Sequence, residues 1–411
     1  MKLPRLLAVR TICLSILLFA PVATTMAEST WSDPHPMRLE SITEGRLFTY
    51  NPESFLHRFS YRNLSDEPRP GQDGLWGTGG SVTGDQLYVE INGQKTFRFD
   101  NERYAVIARM QRREDFDGRF DRQLVGVSRR FGSSWEAAFV ADITGDKGLV
   151  DFQLEGSWRP DATRELRLAL MQPDRLYNNK SNSNNKYHKA PTTAFLHYRQ
   201  ELAGHAGFEV AVNATPRARY EDRAVGYTVD AEQLRLMGNG QLPLAADWYG
   251  GARLELENTR RDLSGPAVPG GDFRRKSRHV TVSASAPERS LNPSVGLRYF
   301  RLDESGWFGT GLAVSGRNQR EEIGAFASMT WRSGDQHWFE PAVFLGHVDL
   351  DRRFLESPER DRQSSEVVGK LILPWRYVVH QESGAVVTLN PTFRLHRFAF
   401  GGGNIQLHWP L

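Results

Sequence analysis

The sequence contains one cysteine, Cys13, and it lies inside an apolar N-terminal run that follows Lys2, Arg5 and Arg10. That run, Ile12 to Ala20, leads to the small-residue pattern Thr25-Met26-Ala27, the layout of a secretory signal peptide with cleavage expected after Ala27. Ile12 is too large to precede a lipoprotein cleavage site, so the mature chain is expected to have no thiol, disulfide or cysteine metal centre. An excess of charge is also missing. Residues 1–27 carry three basic and no acidic residues; taking those three from the 52 Lys and Arg leaves 49 against 49 Asp and Glu. A neutral mature chain has no bulk electrostatic attraction to nucleic acid, which is excluded as a partner. Long hydrophobic runs are absent after the signal peptide, and none approaches the ~18 apolar residues a membrane-crossing helix requires. Mean hydropathy is −0.51. That value argues against helices in lipid, but says little about strands that place apolar residues only at alternate positions.

Alternation is what the chain does have. From Val150 to Trp158, Val150, Phe152, Leu154, Gly156 and Trp158 share one face, and Asp151, Gln153, Glu155 and Ser157 share the other. The split recurs with Leu166, Leu168 and Leu170 against Glu165 and Arg167, and with Phe208, Val210 and Val212 against Glu209 and Asn213. It returns with Trp248, Ala252, Leu254 and Leu256 against Asp247, Arg253 and Glu255. Late in the chain come Leu371, Leu373, Trp375, Tyr377 and Val379 against Lys370, Arg376 and His380, then Leu389, Phe393 and Leu395 against Asn390, Arg394 and His396. The last eight residues alternate strictly, with Ile405, Leu407, Trp409 and Leu411 on one side and Asn404, Gln406, His408 and Pro410 on the other.

An apolar last residue with an aromatic two places before it resembles the closing strand of a bacterial outer-membrane β-barrel, with Leu in place of the usual Phe. The resemblance is to a class, porin-like with about 18 strands (range 16–18), and to no specific family. It implies an all-β, transmembrane antiparallel barrel in the outer membrane of a Gram-negative bacterium, with short periplasmic turns and long extracellular loops. The expected organisation is a signal peptide over residues 1–27, a periplasmic N-terminal segment over 28–45 and the barrel over 46–411. Counting back from Leu411 as a periplasmic end, strands are expected near 404–411, 384–399, 366–379, 337–348, 322–332, 293–302, 277–286, 245–257, 227–238, 206–213, 192–200, 163–172, 149–158, 134–142, 122–130, 95–111, 84–92 and 46–61. Short links at 159–162, 333–336 and 381–384 then fall in the periplasm, and longer ones at 62–83, 173–191, 258–276, 303–321 and 349–365 fall outside. Changes of face in 95–111, between Phe99 and Tyr104, and in 227–238, between Ala231 and Leu234, point to β-bulges.

Tryptophan supplies an independent check, because aromatic girdles mark membrane interfaces. Trp135, Trp248 and Trp338 begin ascending strands, whereas Trp158, Trp331, Trp375 and Trp409 close descending ones, so all seven fall at the periplasmic rim.

A barrel of 16 to 18 strands leaves an aqueous interior. Inward positions place Glu136, Asp151, Glu155, Glu165 and Glu209 in the first half and Arg298, Lys370, Arg376 and Arg394 in the second, with Arg167, Arg253 and Glu255 between. Such residues either create a transverse field across a pore or pair with neighbours and brace the wall. The expected function is passage of small hydrophilic solutes. The alternatives are an export pore for an acidic exopolysaccharide, a role played by some barrels of this size, and a closed structural or adhesive barrel. Expected partners are membrane lipid and lipopolysaccharide, toward which Arg260, Arg261, Arg274, Arg275, Lys276 and Arg278 are suited, and the barrel-assembly machinery acting through the last strand.

Enzymatic readings find little support. Outer-membrane phospholipases share a His-x-Ser pair that none of the eleven histidines forms. Asp349-Leu350-Asp351 and Asp335-Gln336-His337 match the spacings of omptin-type proteases, yet the topology puts them on opposite sides of the membrane. Asp115-Phe116-Asp117-Gly118 lacks the closing Glu of a calcium loop. No catalytic residue, metal ligand or cofactor is expected.

Overall fold

The computed structural model describes residues 73–411 apart from 82–86, 116–117, 144–151, 173–185, 190–192, 203–205, 223–225, 246, 266–270, 287–288, 290, 308–314, 356 and 397. Its strands are β1 (Gly74–Ser81), β2 (Leu87–Phe99), β3 (Tyr104–Asp115), β4 (Gly118–Phe131), β5 (Trp135–Asp142), β6 (Phe152–Trp158) and β7 (Arg164–Gln172). β8 crosses in two pieces, Lys186–Lys189 and Thr193–Glu201, followed by β9 (Gly207–Asp222), β10 (Tyr227–Ala245), β11 (Trp248–Ser264), β12 (Gly271–Ser285) and β13 (Ser294–Trp307). β14 (Ser315–Ser328 and Trp331–Ser333), β15 (His337–Phe339 and Ala342–Phe354) and β16 (Arg362–Ile372 and Trp375–His380) are also interrupted, before β17 (Ala385–Arg394) and β18 (Ala399–Pro410). Each strand pairs antiparallel with the next, and β1 pairs with β18 from Gly74↔Pro410 to Ser81↔Gly403. The result is a closed barrel of eighteen strands. No backbone edge is left unpaired by the pairing order, the condition for a β-structure in lipid.

Side chains obey the two-residue period of the strands. Leu154, Leu168, Leu170, Leu196, Val210, Leu254, Val282, Leu297, Ile323, Leu345 and Ile405 are exposed on the outside, while the chain neighbours of several, Gln153, Arg167, His197, Thr281, Arg298 and Glu322, are buried on the inside. An apolar exterior over a polar interior inverts a soluble protein and places the chain in a membrane, with the short turns at 100–103, 132–134, 334–336 and 381–384 on the periplasmic side.

The N-terminal strands differ from the expectation. The region expected as one bulged strand, 95–111, is the hairpin of β2 and β3, whose turn holds Asp100, Asn101 and Glu102 at φ of 49°, 51° and 67°. Asp and Asn tolerate this left-handed region better than most residues, and the turn, not a bulge, is why the apolar face changes between Phe99 and Tyr104. The first barrel strand is β1, inside the segment 62–83 expected as an external loop; the expected strand at 46–61 lies outside the described residues. β1 reads Gly-Leu-Trp-Gly-Thr-Gly-Gly-Ser and carries too little alternation to betray a strand. Its glycines suit the seam, since a Cβ on Gly80 would sit 2.3 Å from the Gly403 carbonyl oxygen.

Three connections also shrink. The segments 258–276, 303–321 and 349–365 are largely strand: β11 runs to Ser264, β12 starts at Gly271, β13 runs to Trp307, β14 starts at Ser315 and β15 runs to Phe354. Charged residues above a membrane satisfy their backbones by continuing the ladder, so polarity there marks exposure and not the end of pairing. The bulge expected in 227–238 lies on the neighbouring strand, β9, between Thr215 and Ala218, where Pro216 removes a ladder donor; β10 itself pairs with β11 without interruption there.

Candidate lumenal site

The seven tryptophans expected at one rim stand at that end of the barrel, in two environments. Trp135 stacks beside Trp158 at 6.1 Å between ring centroids, and Trp331, Phe339 and Trp375 form a ladder at 5.4 and 6.3 Å. Arg289 covers Trp248 at 5.3 Å, and Trp409 is exposed beside the seam. Trp338 departs from the expected girdle. It occupies the opposite face from Phe339, held between the guanidiniums of Arg332 and Arg376 at 4.2 and 4.4 Å from its ring. Arg376 is therefore a stacking partner at the rim.

The acidic residues of the first half face inward and meet basic ones. Arg98 reaches Glu136 at 3.4 Å, and Ser128 donates to the same carboxylate at 2.6 Å. Arg109 forms a two-pronged pair with Glu155, its Nη2 at 2.8 Å from Oε2, and donates through Nε to Gln94 at 2.7 Å. Arg159 holds Glu165 at 3.0 Å, and His197 lies 3.2 Å from Glu209. Arg167 is buried within electrostatic reach of Glu155. Between these groups remains a void of about 20 Å³, lined by Ile107, Glu136, Glu155 and Arg167 among others and sized for a single water. This wall is braced. The bases that neutralise it, Arg98, Arg109 and His197, stand on β2, β3 and β8, and Arg98 and Arg109 meet their partners across two intervening strands. Asp151 lies outside the described residues.

The second half pairs in part. Arg253 donates to Glu255 at 2.8 Å, Arg275 to Glu304 at 2.7 Å and Arg320 to Glu322 at 2.6 Å. Arg298, on β13, differs. Only 4% of it is exposed, yet its Nε and Nη2 have no hydrogen-bond acceptor among the described residues. Lys370, on β16, is 6% exposed and likewise forms no hydrogen bond or ion pair among the described residues. The two cations are near enough to act on one another, and Arg394, directly opposite Lys370 in register, adds a third charge. Glu322 supplies the acidic counterweight, already bonded to Arg320.

Register explains the shape between them. Arg298 faces Gly324, Gly324 faces Gly346, and Gly346 faces Val368, so two strands in a row present no inward side chain. One rung nearer the periplasm, Phe326 and Phe344 stack at 5.6 Å and lead to Lys370. The inner wall thus carries a shallow trough with a glycine floor, an aromatic shoulder, Arg298 at one end and Lys370 at the other. A buried guanidinium with unmet donors is costly, and a carboxylate or similar anion would satisfy it with two parallel hydrogen bonds. Gly324 and Gly346 escaped the sequence reading, although the inward parity of both positions is visible once the hairpin register is known. Asp349 and Asp351 stand toward the outer end of β15 and Asp335 at the opposite turn, so no acidic tetrad forms. Among the described residues no group of three or more His, Cys, Asp or Glu is placed to hold a metal ion.

No protein-family model and no curated protein matches the sequence. Among solved structures, the chain is similar to the outer-membrane protein opdK of Pseudomonas aeruginosa at 12% identity and a TM-score of 0.43, covering 83% of this chain and 98% of that one. It is similar to OprD of the same organism at 11% identity and a TM-score of 0.42, covering 82% and 92% of the two chains. A BenF-like porin from Pseudomonas fluorescens Pf-5 stands at 10% identity and 0.43, covering 83% and 98%. The closed barrel rests on the chain's own strand pairing.

Proposed function

We propose that this barrel is an outer-membrane channel for small hydrophilic solutes, with a preference for organic anions set by the Arg298–Lys370 trough. The supporting observation is that Arg298 leaves two buried donors unmet among the described residues, where Arg199 and Arg376 leave one each. Eighteen strands enclose enough space for an aqueous path. The trough suits a small anion better than an acidic polymer, because a polymer needs a continuous run of free cations and the arginines above and below are largely committed to carboxylates. Phe326 and Phe344 offer an apolar surface beside the charges, so an anion with a compact carbon body fits better than a bare inorganic one.

Planar-bilayer recording tests the reading. Purified protein is expected to conduct in steps, to select anions over cations and to be transiently blocked by millimolar small carboxylates. A silent bilayer overturns the channel. Conductance without carboxylate block, or with block unchanged in Arg298→Gln, keeps the channel and overturns the anion preference.

A further inference from the structure

The trough has two cationic ends, and each is short of acid. On β13, the donors that Arg298 leaves unmet among the described residues are Nε and Nη2, which lie along one edge of the guanidinium and point the same way. That edge grips a carboxylate through two parallel hydrogen bonds. At the far end, Lys370 of β16 stands directly opposite Arg394 of β17, both inward, and neither forms a hydrogen bond or ion pair among the described residues. Directly opposed like charges weaken a sheet, so an anion between them would stabilise it. The carboxylates nearby do not cancel these charges. One rung outward stand Glu322, bonded to Arg320 at 2.6 Å, and Glu366, which bonds to none of the cations among the described residues. The rung of Arg298, the rung of Lys370 and the next toward the periplasm hold no acid from β12 to β17. From the rung of Arg320 down to the rung below Lys370, four cations, Arg298, Arg320, Lys370 and Arg394, therefore face two carboxylates, an excess of two positive charges.

Between the two ends the wall is shaped for a short carbon chain. Three strand spacings separate β13 from β16, roughly 14 Å between backbones, and the two side chains close part of that span from either end. Gly324 and Gly346 leave the floor bare. Beneath it runs an aromatic shelf. The Phe326 ring lies over Gly296, where an added Cβ would sit 2.5 Å from its Cε1 and Cζ, and Phe344 stacks on Phe326 on the side of Lys370. The shelf thus reaches from the strand of Arg298 toward the strand of Lys370 and offers apolar contact along the way.

We infer that the trough takes a linear dicarboxylate, with one carboxylate gripped side-on by Arg298, the other held between Lys370 and Arg394, and the methylenes laid over the glycine floor against the shelf. The assignment rests on the anion preference proposed above and adds a second charged end to it. Two anionic groups match the excess of two cations, whereas a monocarboxylate leaves one end unmet. Once the first carboxylate is seated, the second is held close to its own site, so the linked pair binds more tightly than either alone.

The test records block of single channels in planar bilayers by succinate, glutarate and adipate, each against its monomethyl ester, which keeps the chain and removes one charge. The strongest-blocking diacid is expected to exceed its ester about tenfold, from the charge-assisted contacts at the second end. Lys370→Gln/Arg394→Gln is expected to bring that ratio close to one. Diacid and ester blocking equally in wild type keeps the anion preference and overturns the second end. A ratio that survives Lys370→Gln/Arg394→Gln overturns the placement of that end. Sulfate, a dianion without a spacer, blocking as strongly as the best diacid overturns the inference as well, because charge alone would then suffice. Absence of block by all of these anions overturns the anion preference itself and the dicarboxylate with it. Should the double variant fail to fold, Lys370→Gln alone carries the comparison, and the diacid-to-ester ratio of wild type needs no variant.

Discussion

The two halves of the inner wall spend their charges differently. On the strands from β2 to β9, acids and bases meet in close pairs, of which Arg109 with Glu155 and Gln94 is the most buried. On β13 to β16, Arg298 and Lys370 face a floor of Gly324 and Gly346 with no carboxylate of the described residues in contact. Similar residue types, at similar burial, are a brace in one place and, in the other, cations with donors left unmet by the described residues. What separates them is register: in the first half long arginines reach acids over small inward residues such as Ser128 and Ala138, while in the second the inward glycines Gly324 and Gly346 separate Arg298 from Lys370.

The comparison is broken most forcefully from the braced side. Glu155→Ala strands Arg109 in a buried setting, and removing one partner of a buried pair costs ~3–5 kcal/mol. The variant is expected to lose its folded gel mobility at a markedly lower temperature, whereas Arg298→Gln should match wild type or exceed it; comparable losses in both would show that Arg298 also has a structural partner. Next in size is the functional effect of the same Arg298 change. Losing two charge-assisted hydrogen bonds is expected to weaken carboxylate block by roughly ten- to a hundredfold at unchanged single-channel conductance. Gly324→Val sharpens the distinction between charge and shape. It leaves every cation in place but fills the floor, so block by a small carboxylate should weaken about tenfold, with reversal potential moved little. If Gly324→Val shifts the reversal potential as much as Arg298→Gln, the trough is part of the main path and not a side station.

Much of this was legible before the structure. Alternation over 150–158, 165–170 and 404–411 located strands and their faces, because a strand between lipid and water has to alternate. The parity that put Glu155, Arg253 and Arg298 inside came from the same pattern. Three things were hidden. β1 is glycine-rich and carries no alternation, so its place at the seam depends on close backbone approach that only the three-dimensional pairing reveals. The hairpin at Asp100–Glu102 looked like a bulge, because both devices reverse the apolar face. The partners of Glu136 and Glu155 stand three strands away, and no local spacing links Arg98 or Arg109 to them.

The smallest expected effect lies outside the membrane, in the periplasmic turns of the two halves. Arg164 bonds the Asp161 carboxylate at 2.8 and 2.6 Å and, with Thr163, holds its pKa far below the usual carboxylate range. Arg289 does the same, less strongly, for Asp247 in the turn between β10 and β11. A carboxyl whose pKa is depressed by folding stabilises the folded state above its unfolded value, near 4, and that contribution fades as the pH falls below it. Both pairs are exposed and screened, so acidification from pH 5 to pH 3 is expected to lower the unfolding temperature by an amount that Asp161→Asn reduces only slightly and high salt shrinks further. Both turns should respond alike, since neither depends on the wall above it. An Asp247→Asn variant with a much larger acid response than Asp161→Asn would mean that Arg289, stacked on Trp248, couples its turn to the girdle and hence to the less braced half of the barrel.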